Sequence, residues 1–403
     1  MASDGGLIPI RESDERGQVM KKSIQGTTPA CLAGCLFLSL VANTAFGQQN
    51  RAASVVSAEH FLEQLRVATG TPAISGAVTV RGKIVFSAGV GLIDLEHHTA
   101  ATGSSVYNIG SVSKIVTAIA VMQLVEQNLI SLDDDIRTYV PAFPDKGARI
   151  TIRHLLTQTS GIRHYHKSDF PGTPDNENIQ PIDSYLDGLL FFANDPLLFQ
   201  PGEFYFYSSY GVNLLQGVVE KASGIPFEQY LQEHVWRAAG MTSASFDIPE
   251  RIVPNRARSY RIERGQTFNY YYNDLRYKFA SGGMIASAED LVKLGVALNH
   301  GILMSAETRA LMLTSQLEGK QRFREDGAPV DIGFKQGMLW QLRRDTAGRR
   351  VAYMCGSIKG SNACLVDFLD EDLVAAVTTN SWECCGWSKA DSLAAFFRAN
   401  SKP

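Results

Sequence analysis

The chain is poor in the patterns that announce a chemistry outright. It has six cysteines in 403 residues and no C-x-x-C pair, so thiolate metal sites have no support. There is no H-E-x-x-H helix, no glycine-rich loop followed by Lys-Ser/Thr, and no G-x-S-x-G elbow. These absences remove the zinc-peptidase helix, the phosphate cradle and the usual α/β-hydrolase nucleophile turn. Neither sign of charge dominates, with 38 Lys and Arg against 41 Asp and Glu and a net charge of −3. With no basic stripe either, electrostatics make no case for nucleic acid. No motif asks for a cofactor. What is present is a 45% hydrophobic composition, enough to bury one large core or two smaller ones.

Long apolar runs are scarce as well. Residues 1–19 are polar and unpatterned, and read as disorder or a non-native start. Met20-Lys21-Lys22, the apolar stretch Ala30 to Val41 and Ala45-Phe46-Gly47 form a secretory leader over 20–47, too short for a membrane span. The expected location is therefore exported, periplasmic or secreted. Leu32-Ala33-Gly34-Cys35 resembles a lipoprotein box, but the apolar residues after Cys35 argue against a lipid anchor. Cleavage would leave Cys355, Cys364, Cys384 and Cys385, which allow three disulfide connectivities or simply free buried thiols.

The chemistry centres on Tyr107-Asn108-Ile109-Gly110-Ser111-Val112-Ser113-Lys114. A turn at Asn108 and Gly110 precedes an apolar helical pattern through Ile115, Ala118, Ile119 and Met122. Ser111 therefore opens a helix, and Lys114, three residues on, shares its face. A serine becomes a nucleophile only beside a base, and a desolvated lysine at the positive end of a helix is neutral enough to serve. Lys114 is the only lysine in the chain with a serine three positions before it. The bland alternative is a capping serine followed by a solvated lysine. Ser113 points to another face and is rejected.

Around this motif, Ala58 to Val67 reads as a helix, and Ile74 to Val80 and Lys83 to Val90 as a hairpin turning at Arg81-Gly82. Ser131 to Asp134 caps a short segment broken by Pro141 and Pro144, and Thr151 opens a helix that stops at Ser160-Gly161. Helices and long loops follow to about Tyr270, and Ala288 to Leu298 is helical. Strand patterns return at Gly337–Leu342, Val351–Met354, Asn362–Phe368 and Leu373–Thr378, before a closing helix from Asp391 to Phe397. The expected class is α+β: an antiparallel sheet built from 53–130 and 275–403, flanked by helices, with a mostly helical domain at 131–274.

Three further stretches carry a family likeness: Leu155 to Ile162, Gln200-Pro201-Gly202-Glu203 through Tyr207-Ser208-Ser209, and Ala280-Ser281-Gly282-Gly283-Met284. In this order they resemble the class C β-lactamase and penicillin-binding-protein superfamily of serine hydrolases. Ser160 to Tyr165, Asn194 to Leu197 and Asn255 to Arg258 resemble its mitochondrial β-lactamase-like peptidase branch and bacterial relatives. The resemblance implies Ser111 as acylated nucleophile, Lys114 as base, and Tyr207 as the proton shuttle, its pKa lowered by Lys114. It also implies backbone N–H groups of Ser111 and Ser357 as oxyanion hole, and Ser209, Met354, Cys355 and Gly356 lining the substrate site. Two positions depart from the pattern. Ser209 replaces an asparagine, and Met354-Cys355-Gly356 replaces a triplet headed by Lys or His. Met has neither charge nor donor, and Lys359 lies an odd offset away, on the other strand face.

These residues lead to the expectation of an exported hydrolase of esters or neutral peptides, poor at gripping a carboxylate. The alternative is a catalytically weak scaffold that binds peptides or cell-wall fragments, or self-assembles. The partner is a small molecule or peptide, not nucleic acid, and no metal is expected, since His164, His166 and Asp169 read as a loop feature.

Overall fold

The computed structural model describes residues 52–398 apart from 167–168, 170–177, 179–181, 183, 272, 383 and 385. The leader reading, Cys31, Cys35 and Cys385 lie outside the described residues. Among the described residues no helix is long and apolar enough to cross a membrane.

In chain order the first elements are a helix over 52–69 (α1), β1 (Ala73–Val80), β2 (Lys83–Asp94), β3 (Thr99–Ala100) and β4 (Val106–Asn108). A single 3-10 turn, Gly110–Val112, runs straight into α2 (Ser113–Glu126), and α3 (Ile152–Leu156) and α4 (Ser209–Ser223) follow. Next come α5 (Phe227–Leu231), a π-helical turn, α6 (Arg237–Ala239), β5 (Ser245–Phe246), β6 (Tyr260–Glu263) and β7 (Gln266–Asn269). Then come α7 (Phe279–Gly282), β8 (Met284–Ser287), α8 (Ala288–Asn299) and α9 (Ala306–Met312). The chain closes with β9 (Gln321–Arg322), β10 (Val330–Asp331), β11 (Lys335–Gln336), β12 (Gln341–Arg344), β13 (Arg350–Ile358), β14 (Ser361–Phe368), β15 (Leu373–Thr379) and α10 (Trp387–Ala395).

The main sheet has eight strands in the order β11-β12-β13-β14-β15-β1-β2-β3. The chain's two ends meet at its centre, where β1 pairs antiparallel with β15, Ala77 opposite Ala376. β1, β14 and β15 are buried at every position, so both sheet faces are covered. One face packs Leu62 of α1 and Leu393 of α10 against Ile74, Val78, Cys364 and Val366. The other carries the larger core, with α2 and α8 against Ala77, Met354, Leu365 and Ala376. Helix α2 is buried from Ser113 to Leu124, as a helix apolar on all sides must be.

The Arg81-Gly82 hairpin is as read from sequence, with both residues at positive φ (51° and 73°). A second Arg-Gly turn, Arg264-Gly265, joins β6 to β7 inside the stretch expected to be helices and loops. Its strands are four residues each and largely exposed, and the alternation Tyr260-Arg261-Ile262-Glu263 is too short to stand out. The strand expected at Gly337–Leu342 is interrupted. Residues 337–340 form a buried turn, with Leu339 at φ 61° and Gly337 N–H donating to Trp340 O at 2.8 Å, and β12 begins only at Gln341. The cap expected at Ser131–Asp134 is Asp135, whose side chain accepts from Arg137 N. The open choice for the cysteines resolves for one pair: Cys355 and Cys364, opposite one another on β13 and β14, are disulfide-bonded.

Candidate active site

The site begins at the turn before α2. Asn108 ends β4, and its side-chain oxygen accepts from Gly110 N at 2.8 Å. Its amide donates to Asp247 Oδ2 at 3.1 Å, and Arg256 pairs with Asp247 Oδ1 at 3.2 Å. Burial raises the Asp247 pKa, an effect that Arg256 and then Asn108 oppose. This relay holds the 3-10 turn that presents Ser111. From Ser105 to Leu124 every residue is buried except Ser111, which alone opens to the cleft.

Lys114 sits one turn on, fully buried. Its Nζ lies 3.0 Å from Ser111 Oγ, 2.9 Å from Ser209 Oγ and 2.6 Å from the carbonyl oxygen of Ser281. Burial, reinforced by the charge of Lys278, holds the Lys114 pKa well below its ordinary value. Ser113 is occupied elsewhere, its Oγ accepting from Met284 N at 3.2 Å.

Tyr207 OH is 2.6 Å from Ser111 Oγ. The tyrosine reaches this point because Ser208 caps α4: its Oγ accepts from Gly211 N and donates to Arg163 O. Gln158, held at φ 61°, accepts from Ser208 N through its side chain and from Phe206 N through its backbone. The expectation that Lys114 lowers the Tyr207 pKa is corrected. Burial pushes it up to about 12, and the hydrogen bond from Ser111 only partly opposes this. A lysine kept neutral offers no full charge to pull the phenol down.

Ser209 opens α4, with its hydroxyl on Lys114 and its N–H donating to His164 Nδ1 at 3.2 Å. That bond assigns the proton of a neutral His164 to Nε2. Burial above all pushes the His164 pKa down to about 3, and the charge of Lys278 adds to it. The other residues once weighed as metal ligands are engaged: Asp169 accepts from Arg163, from Tyr210 OH and from the His166 N–H.

Opposite Ser111 runs β13. A Cβ on Gly356 would lie 2.4 Å from Ser111 N, and one on Gly110 would lie 2.8 Å from Ser357 N. Two glycines thus let the 110–111 and 356–357 backbones come into contact. Of the rest of this stretch, Met354 is buried at 4% exposure in the core beside α2. Cys355 does not line the cleft: strand alternation turns it to the opposite sheet face, bonded to Cys364. Lys359 lies over the Trp382 ring, 3.1 Å from its centroid. Three contributors escaped sequence reading: the Ser281 carbonyl, Lys278 and Asp247. A backbone acceptor leaves no side-chain signal, and Lys278 and Asp247 are distant from the motifs or act through a neighbour.

The beta-lactamase family model matches residues 58–384. The mitochondrial serine beta-lactamase-like protein of Homo sapiens is 29% identical over 415 residues, covering 82% of this chain and 74% of that protein. Its Bos taurus counterpart is 29% identical over 319 residues, covering 62% of this chain and 57% of the relative, less than two thirds of its length. Among solved structures, the octameric penicillin-binding protein homologue from Pyrococcus abyssi superposes with TM-score 0.72 at 25% identity, covering 86% of this chain and 78% of that one. The sheet order, the Ser111–Lys114–Tyr207 cluster and these matches agree: the chain belongs to the beta-lactamase family of serine hydrolases.

Proposed function

We propose that this protein is acylated at Ser111 and hydrolyses esters or amides that carry no carboxylate at the recognition position. The observation that carries this reading is the placement of a buried Lys114 Nζ at 3.0 Å from Ser111 Oγ. As Oγ attacks the carbonyl carbon, its proton passes to neutral Lys114. The carbonyl oxygen, now an oxyanion, takes hydrogen bonds from the N–H groups of Ser111 and Ser357, a donor pair of the kind worth about 3 kcal/mol for each member. Tyr207, a neutral phenol, gives its proton to the leaving alkoxide or amine and recovers one from the Lys114 ammonium. Water then attacks the acyl carbon by the reverse route. Because Tyr207 stays protonated, it serves as a relay and Lys114 as the base.

Met354 supports the substrate preference, since a buried thioether cannot pair with a carboxylate. The leader at 20–47 makes export part of the proposal, and N-terminal sequencing of the mature protein checks it. A fluorophosphonate probe tests the chemistry: labelling lost in Ser111→Ala supports it. Absence of labelling in the unaltered protein leaves the peptide-binding scaffold. Faster hydrolysis of a cephalosporin than of a short-chain nitrophenyl ester overturns the preference.

A further inference from the structure

Away from this cleft, between α9 and the β11–β12–β13 edge of the sheet, lies a cavity of about 710 Å³. Its walls are part apolar and part charged. Leu342 and Val351 are buried, and Leu313, Phe334 and Leu369 are half-buried. Five cationic side chains line it, Arg309, Lys335, Arg343, Arg344 and Arg350, against one acid, Glu318.

Ion pairing within the protein neutralises only part of this charge. Arg343 pairs with Asp391 and Arg350 with Asp370. Arg344 donates to the backbone oxygen of Gly348. Arg309 reaches a single acceptor, the Asn299 carbonyl at 3.4 Å, and its Nε is buried without a hydrogen-bond partner. With one long hydrogen bond made, the guanidinium keeps further N–H donors for an anion in the cavity. The nearby carboxylate of Asp367, fully buried, does not bond to it: Asp367 Oδ1 takes the Asn299 amide and Oδ2 has no partner. Lys335 and Arg344 stand exposed, Arg344 within electrostatic reach of Asp370, which Arg350 already pairs.

We propose that this cavity binds an anionic amphiphile: an acid head group on Arg309, with Lys335 and Arg344 at the rim, and an alkyl chain along Leu313, Phe334, Leu342 and Val351. The volume suits a single-chain ligand. Guanidinium favours a planar carboxylate or a phosphate monoester, the two heads that share this chemistry. The site is separate from Ser111, and the assignment does not depend on the hydrolase reading.

Calorimetric titration of the full chain with decanoate and with decyl phosphate tests the proposal, and the tighter of the two identifies the head group. Expected is saturable binding of at least one, weakened at least tenfold in Arg309→Gln and kept within threefold in Arg309→Lys. Acetate, inorganic phosphate and decanol, each lacking half of the ligand, should bind at least tenfold more weakly. Binding should persist after Ser111 has been blocked with a fluorophosphonate. No saturable binding, equal binding to Arg309→Gln with an unchanged melting temperature, or loss of binding on blocking Ser111 overturns the assignment.

Discussion

Lys114 does its work by being out of water. With its pKa depressed by burial and by Lys278, it is neutral over a range of pH where an exposed lysine is charged. Only the neutral amine accepts the Ser111 proton, so acylation should fall as pH drops through the depressed pKa and hold a plateau above it. Burst titration of acyl-enzyme formation across about pH 4–11 measures this, and a profile rising only near pH 10 would contradict it. Tyr207→Phe removes the relay but leaves Lys114 and the oxyanion donors, so kcat should fall on the order of 10²- to 10⁴-fold with little change in KM. Much of this was legible from sequence, because Ser111 and Lys114 meet through fixed helical spacing. The sign of the Tyr207 shift was not legible, since it depends on how many atoms surround the hydroxyl rather than on which residues neighbour it in the chain.

At the level of elements, two junctions invite measurement. The strand end at Asn108 is tied through Asp247 to Arg256, both in the long connection between β5 and β6, and this tie sets the Ser111 turn. Asn108→Ala should lower kcat about tenfold or more while KM and the fold hold, and steady-state kinetics beside circular dichroism reads both. The second junction joins β14 to the end of α8. Asp367 is fully buried there, and burial raises its pKa to about 7 against an ordinary 3.8. In the folded protein it therefore keeps a proton that the unfolded chain gives up between about pH 4 and 7. The native state holds more protons in that window, so stability declines as pH rises through it and levels off above about 7. Asp367→Asn should stabilise the protein at pH 8 by on the order of 2–4 kcal/mol, and by little below pH 4. Denaturant titrations at both pH values test this. The new amide also has a waiting acceptor, the unpartnered Asn299 Oδ1. The β6–β7 hairpin and the break at 337–340 were unreadable for one reason: neither carries an apolar period long enough to stand out, and backbone hydrogen bonds decide both.

For the molecule as a whole, the sheet's dependence on both chain ends was legible, because hydrophobic alternation was strong at 74–90 and 351–378. What was not legible is how strand order stacks the two cores. Helix α10 and the turn after it seal one of them: Leu393 and Phe397 are fully buried, and Phe397 lies 5.5 Å from Phe86, ring centre to ring centre. Burying such side chains stabilises by about 1.5–3 kcal/mol each, so losing both removes much of a typical folding free energy. Truncation after residue 386 should leave a protein that is insoluble or lacks a cooperative melt, as expression yield and calorimetry would report.

The pairing of β1 with β15 also sets a timetable for biogenesis. During translation β1 has only β2 beside it until the segment from Leu373 leaves the ribosome, and its other edge stays open to any passing strand. Ribosome-arrested chains ending before residue 373 should be cut readily by protease, and released full-length chains should resist. The main sheet therefore closes only when synthesis is nearly complete.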